Sequence, residues 1–148
     1  ISNKLLDSAS KFGRKALELH PRYVTTYMNM GMIKFKLGDV DSAAYYWDHV
    51  IQLFPTHPNV PQIRQTLLSG FSNRANELMT HQRFAEALTE LLKAYKFTPD
   101  NPRLNYDIGN LYRIMQNPNQ ARMYWTNGLK YAPGDVNLQN ALRSLGGQ

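Results

Sequence analysis

Four proline-terminated motifs, ELHP, QLFP, KFTP and KYAP, end at Pro21, Pro55, Pro99 and Pro133, at spacings of 34, 44 and 34 residues. One period is thus kept throughout and interrupted once, by ten extra residues. Upstream of the last three prolines the same ladder of side chains recurs at identical offsets: Gly31, Ala43 and Trp47, then Ala75, Ala87 and Leu91, then Gly109, Ala121 and Trp125. Units this short cannot bury an apolar face alone, so they must stack on one another. A glycine inside a helix costs about 1 kcal/mol relative to alanine. Gly31 and Ala43 lie twelve residues apart across a turn, so on antiparallel helices they can face each other and let the backbones approach. Tyr27, Trp47 and Val50 surround that contact, as do Phe71, Leu91 and Ala94 in the next unit and Ile108, Trp125 and Leu129 in the third. Each such large side chain is worth about 2 kcal/mol when buried.

The turns carry their own signals. LGDVDSA offers Gly38 as a helix stop and Asp39 or Asp41 as the cap of the next helix, while NPNQA places Asn117 as a cap and Pro118 in a first turn. FTPDNP ends one helix and starts another. In the ten-residue interruption, Ile63, Leu67, Phe71, Ala75 and Leu78 follow helical spacing down one face. The insertion is therefore expected to lengthen the middle unit's first helix by about two to three turns.

The offsets resemble the tetratricopeptide repeat, a 34-residue helix-turn-helix unit written W-x2-L-G-x2-Y, then A-x3-F, then P. The counterparts are Tyr27, Met30, Gly31 and Lys34; Phe71, Arg74, Ala75 and Leu78; and Asn105, Ile108, Gly109 and Tyr112. The pattern departs at Lys34, where an apolar or aromatic residue is usual, and at Arg74, where leucine is usual. The resemblance implies an all-α, right-handed superhelix (solenoid) of antiparallel helix pairs in a single domain. Full repeats would occupy 24–57, 68–101 and 102–135, with a partial leading unit at 1–23, the insertion at 58–67 and a closing helix at 136–148. In the leading unit Leu5, Leu6, Phe12 and Leu17 would need a covering partner.

Composition narrows the function. The chain is 43% hydrophobic and 19% charged, enough for an ordinary core and too apolar for a disordered segment. No stretch is long and apolar enough for a membrane span. The N-terminal residues show no signal peptide and do not begin with methionine, so the chain is expected to be a processed or excised piece, and no compartment follows. Absence of cysteine removes disulfide and thiolate chemistry. The net charge of +6 is dispersed between apolar positions rather than gathered on one face, which argues against nucleic acid as the partner. There is no glycine-rich phosphate loop, GxSxG elbow or HExxH, and His20, His49, His57 and His81 lack metal-ligand spacing. The expectation is a non-enzyme without cofactor or metal.

In the tetratricopeptide family the first helix of each unit lines a concave, peptide-binding groove. Carried over residue by residue, the resemblance implies a groove of Met28, Asn29, Met32, Phe35 and Lys36, then Ser72, Asn73, Asn76 and Met79, then Arg103, Tyr106, Asp107, Asn110 and Arg113. An asparagine amide donates and accepts at once, so Asn29, Asn73, Asn76 and Asn110 form a row suited to the backbone of an extended peptide. That row is similar to the asparagine ladder in the repeats of O-linked sugar transferases. Arg103 and Arg113 would favour an acidic peptide, and Met28, Met32 and Phe35 give an adaptable apolar end. The clamp of chaperone-binding repeats is matched at two of five positions, by Asn73 and Arg103, with Met28, Met32 and Asp107 at the others. The leading expectation is a protein-binding scaffold. Its alternatives are self-association through exposed Tyr45, Tyr46 and Tyr124, and an accessory domain of a larger protein such as an enzyme.

Overall fold

The computed structural model describes residues 21–146, and all of its regular structure there is α-helical. Its helices are α1 (Pro21–Lys36), α2 (Val40–Leu53), α3 (Val60–Thr80), α4 (Phe84–Phe97), α5 (Pro102–Ile114), α6 (Pro118–Tyr131) and α7 (Val136–Gly146). The helix expected in the leading unit, with Leu5, Leu6, Phe12 and Leu17, lies outside the described residues. The chain packs as two compact units that divide between Leu67 and Leu68, inside α3.

In the first unit α1 and α2 form an antiparallel hairpin. Gly31 is buried in it, and the Trp47 indole occupies the space a side chain there would need. A Cβ on Gly31 would stand 2.3 Å from the indole Nε1, inside any permitted contact. The indole N–H donates to the Met28 carbonyl at 3.2 Å, pinning the ring across the glycine. Tyr27 packs at 5.9 Å from both Tyr46 and His49 on the opposing helix.

The second unit repeats the device in α5 and α6. A Cβ on Gly109 would likewise overlap the Trp125 indole, which donates to the Tyr106 carbonyl at 3.1 Å. At the corresponding positions of α3 and α4 stand the buried Ala75 and Leu91. A larger residue on the first helix goes with a smaller one on the second, so contact volume is kept. Trp125 and Ala121 meet Leu138 of α7 in one core cluster, and Gly128 leaves room for the Leu138 side chain. Asp135 caps α7 by accepting from the Leu138 N–H at 3.0 Å.

Every hairpin turns the same way. Gly38, Gln82 and Gln116 occupy the left-handed region at φ 79°, 58° and 59°. In each turn the following N–H reaches back to a carbonyl five residues earlier: Asp39 to Lys34, Arg83 to Leu78 and Asn117 to Tyr112. These are Schellman closures, for which glycine is the unstrained choice. Asp39, Asn101 and Asn117 then cap α2, α5 and α6 through the N–H groups of Ser42, Leu104 and Gln120. The cap hydrogen bonds from Ser42 also hold the Asp39 carboxyl below its ordinary pKa.

Two polar residues replace apolar ones where the repeat pattern departs. Arg74 pairs with the buried Glu90 of α4, Nε to Oε2 at 3.4 Å, while Lys93 holds the other carboxylate oxygen at 3.0 Å. Asn105 is fully buried where Tyr27 and Phe71 stand in the other repeats. Its amide donates to the Pro99 and Asn101 carbonyls, and its oxygen accepts from Asn127 at 2.8 Å. Asn105 thereby ties the α4–α5 connection to α6.

Two outcomes are expected from this packing. Gly109→Ala destabilises by about 1–3 kcal/mol through overpacking and Trp125→Leu by about 2–3 kcal/mol through a cavity, while the double variant costs less than the sum by about 1 kcal/mol. Chemical denaturation of the four proteins reads the coupling. Gln116→Gly relieves the left-handed strain and is expected to raise stability by about 1 kcal/mol, seen as a higher midpoint in a thermal melt.

Candidate functional site

The amphipathic pattern of the first helices buries one face against the second helix and leaves the other outside. On α1, Asn29 and Lys36 are exposed, Met32 is 45% exposed and Met28 is half-buried. Phe35 is half-buried with its ring tilted against Trp47 at 5.8 Å, so it serves the hairpin as well as the surface. Still within the first unit, Met28, Met32, Trp47 and Ile63 line a pocket of about 220 Å³ whose remaining walls are Asn59, Gln62 and Thr66. Ile63 belongs to the early turns of α3 and Asn59 immediately precedes them.

In the second unit Asn73 and Asn76 are exposed three residues apart on α3, flanked by half-buried Ser72 and Met79. On α5, Tyr106 and Asn110 are half-buried, and Arg103 and Arg113 exposed. Arg113 lies over the Trp125 ring at 5.9 Å. Arg103 is not an idle cation: its Nε donates to both oxygens of Asp107 at 3.0 Å, and its guanidinium also covers the Tyr106 ring. Burial pushes the Asp107 carboxyl above its ordinary pKa, with the Arg103 hydrogen bond pulling the other way, and the same bond raises Arg103.

The asparagines differ in what their side chains do. Asn101, Asn105, Asn117 and Asn127 spend them on caps and on the buried network. Asn29, Asn73, Asn76 and Asn110 make no side-chain hydrogen bond among the described residues, and neither do Asn59, Asn119 and Asn137, while Asn140 accepts from Arg143. Asn29 lies in the first unit, and Asn73, Asn76 and Asn110 in the second.

Two features escaped the sequence reading. A pocket of about 490 Å³ in the second unit is lined by the end of α3 and the start of α4, including Arg74, Glu77, His81, Arg83, Glu86 and Glu90. Its charges largely close on one another: Arg83 binds Glu86 bidentately, which raises the Arg83 pKa and lowers that of Glu86. Acid and base at i, i+3 were the available signal. The expected tyrosine surface needs correction, because Tyr124 is buried, stacked on Tyr112 at 5.5 Å and edge-on to Tyr95 at 5.3 Å. Burial among those rings raises its pKa. Tyr45 is 45% exposed and Tyr46 half-buried. Among the described residues no group of three or more His, Asp or Glu is placed to hold a metal ion, and no helix is long and apolar enough to cross a membrane.

No family model matches the sequence, and no curated protein matches it. Solved structures do match. The first tetratricopeptide-repeat domain of Spaghetti (RPAP3), bound to the HSP90 peptide SRMEEVD, is 18% identical, with 84% of this chain and 91% of that chain covered and a TM-score of 0.50. The first such domain of human RPAP3 is 20% identical, with 85% and 91% covered and a TM-score of 0.49. The N-terminal domain of stress-induced protein-1 from C. elegans is 17% identical, with 83% and 94% covered and a TM-score of 0.48. At these identities the likeness is one of fold.

Arg103→Gln removes the group that favours the Asp107 carboxylate, so it is expected to raise the Asp107 pKa further, followed by the carboxyl carbon shift in an NMR titration. The sign for stability follows: a carboxyl raised in the folded state stabilises when protonated, and its contribution is lost as pH rises from 3.8 through the folded pKa.

Proposed function

We propose that this chain, all-α among its described residues and with the fold of tetratricopeptide-repeat domains, is a protein-interaction scaffold whose first-helix faces receive an extended segment of a partner protein. The observation that carries the reading is an unengaged asparagine amide recurring on every first helix. Asn29, Asn73, Asn76 and Asn110 stand there with amides that no described neighbour uses, whereas Asn101 and Asn117 cap helices and Asn105 and Asn127 join the buried network. Such amides pair equally well with peptide N–H and C=O groups, supplying affinity for backbone without selecting side chains.

Charge refines the partner. The Spaghetti domain holds an acidic peptide. Here Arg103 already has a carboxylate, and a second would have to displace Asp107. Arg113 is the cation on α5 that an acidic segment meets without that competition, and Lys36 is its counterpart on α1.

The test is capture of binding proteins from lysate, followed by measurement of the affinity of an identified partner for wild type and for the Asn73→Ala, Asn110→Ala double variant. Both positions leave the buried core, so the melting temperature should hold while affinity falls at least tenfold. Equal affinity for the two proteins would remove the amide faces from the binding site.

A further inference from the structure

The ten-residue insertion lengthens α3, and four of its residues line a pocket in the first unit. Asn59 and Gln62 come from the insertion, as do Ile63 and Thr66, and they close against Met28 and Met32 of α1 with the Trp47 indole between them. Three properties define what fits. Its volume, about 220 Å³, lies below the roughly 300 Å³ at which pockets for drug-sized ligands begin and above the roughly 150 Å³ cavity that takes benzene. Two methionines, an indole and an isoleucine make an apolar lining that can adapt in shape. The rim is amide and hydroxyl: the Gln62 side chain donates to Thr66 Oγ1 at 3.4 Å, and that hydroxyl donates to the Gln62 carbonyl at 2.9 Å. Gln62 is thus held with its amide oxygen still available, and Asn59 keeps its whole amide.

Charge supplies the fourth constraint. No ionised side chain lines the pocket, and the exposed Lys36 stands one turn beyond Met32 on the same helix. Asp39, the acid nearest to it in sequence, is committed to capping α2. Lys36 thus sets a cation one helical turn from a pocket with no charged side chain in its lining.

Resting on the scaffold reading, we propose that this pocket receives one large apolar side chain, phenylalanine in the best case, of an extended partner peptide that carries an acidic residue beside it. The amides of Asn59 and Gln62 take the peptide backbone at the rim, and Lys36 meets the acid. The insertion is then the element that makes this scaffold selective, since the asparagine faces read backbone alone.

The experiment titrates the whole 15N-labelled chain with two acetylated, amidated hexapeptides, GDFDGG and GDADGG. The phenylalanine peptide should shift the Trp47 indole N–H and the side-chain amides of Asn59 and Gln62. Its affinity should be at least tenfold above that of the alanine peptide, and the Trp125 indole, in the other unit, should stay in place. Gln62→Phe, at an exposed rim position, should fill the pocket and lower that affinity at least tenfold with the Trp125 signal unchanged. Lys36→Gln should lower it about threefold and flatten its salt dependence. Equal binding of the two peptides overturns the proposal. So does no Trp47 shift at millimolar phenylalanine peptide, or an inert Gln62→Phe. The scaffold reading fails separately, in the Asn73 and Asn110 variants of the second unit: partner affinity lost there with the pocket inert leaves the scaffold standing, and a selective pocket with partner affinity kept there removes the amide faces alone.

Discussion

Both hairpins that carry a tryptophan depend on a missing side chain. Gly31 and Gly109 leave the space that Trp47 and Trp125 fill, and each indole N–H is anchored on a carbonyl of the facing helix. The cost of glycine in a helix, about 1 kcal/mol, is smaller than the burial of an indole face it permits. The hydrogen bond fixes the ring's orientation, so the contact sets how the two helices lie and which face of the first is left outside. The Asn29 and Asn110 amides are displayed because the opposite side of each helix is committed to that contact. The face left outside is therefore a by-product of hairpin packing.

That dependence explains what was legible beforehand. A repeat is a packing constraint written three times, so the ladder of Gly, Ala and Trp positions located the hairpins, while the turn residues offered Asp39 or Asp41 and Asn117 as caps, of which Asp39 and Asn117 serve. How closely the glycine is approached was less legible: Trp47, expected around the Gly31–Ala43 contact, lies directly over Gly31. Residues that break the pattern were illegible for another reason. Asn105 in the place of an aromatic gives no hint of its three hydrogen bonds, because they join the α4–α5 connection at Pro99 and Asn101 to Asn127 of a different helix. Arg74 and Glu90 are likewise unremarkable until two helices bring them to 3.4 Å. Nor does Gln82 or Gln116 announce a left-handed turn, as Gly38 does; the hairpin imposes that conformation on them. Tyr124 was placed outside because tyrosine tolerates exposure, and only the rings of Tyr95 and Tyr112 show otherwise.

Legibility of the candidate site divides along the same line. The exposed amides could be named from the register, because position in a repeat fixes the face of a helix. Whether an arginine on that face is free to bind could not, since it depends on a neighbour four residues away. Arg103 and Arg113 look equivalent in sequence, yet one is held by both oxygens of Asp107 and the other lies over an indole. Asp107 itself is half-buried, and its raised pKa shows desolvation outweighing the pull of the guanidinium. Such a pair contributes little net stability. In the proposed scaffold its consequence would be selectivity, because a carboxylate brought by a partner would have to outcompete one already in place.

The insertion carries the argument one step further. An extended helix of polar composition would be an idle protrusion if its extra turns met nothing. Val60, Ile63 and Leu67 are buried, so those turns are anchored in the first unit. Between the anchors, Gln62 and Thr66 are turned to a pocket whose floor includes two residues of the α1 face. Natural selection for stability alone would favour closing an apolar hollow of this size, because unfilled apolar volume costs stability and a larger side chain at position 66 would occupy it. Thr66 instead directs its hydroxyl to the backbone of its own helix and leaves the space open. A hollow kept open beside amide groups is what recognition of a side chain requires, and what packing by itself does not explain.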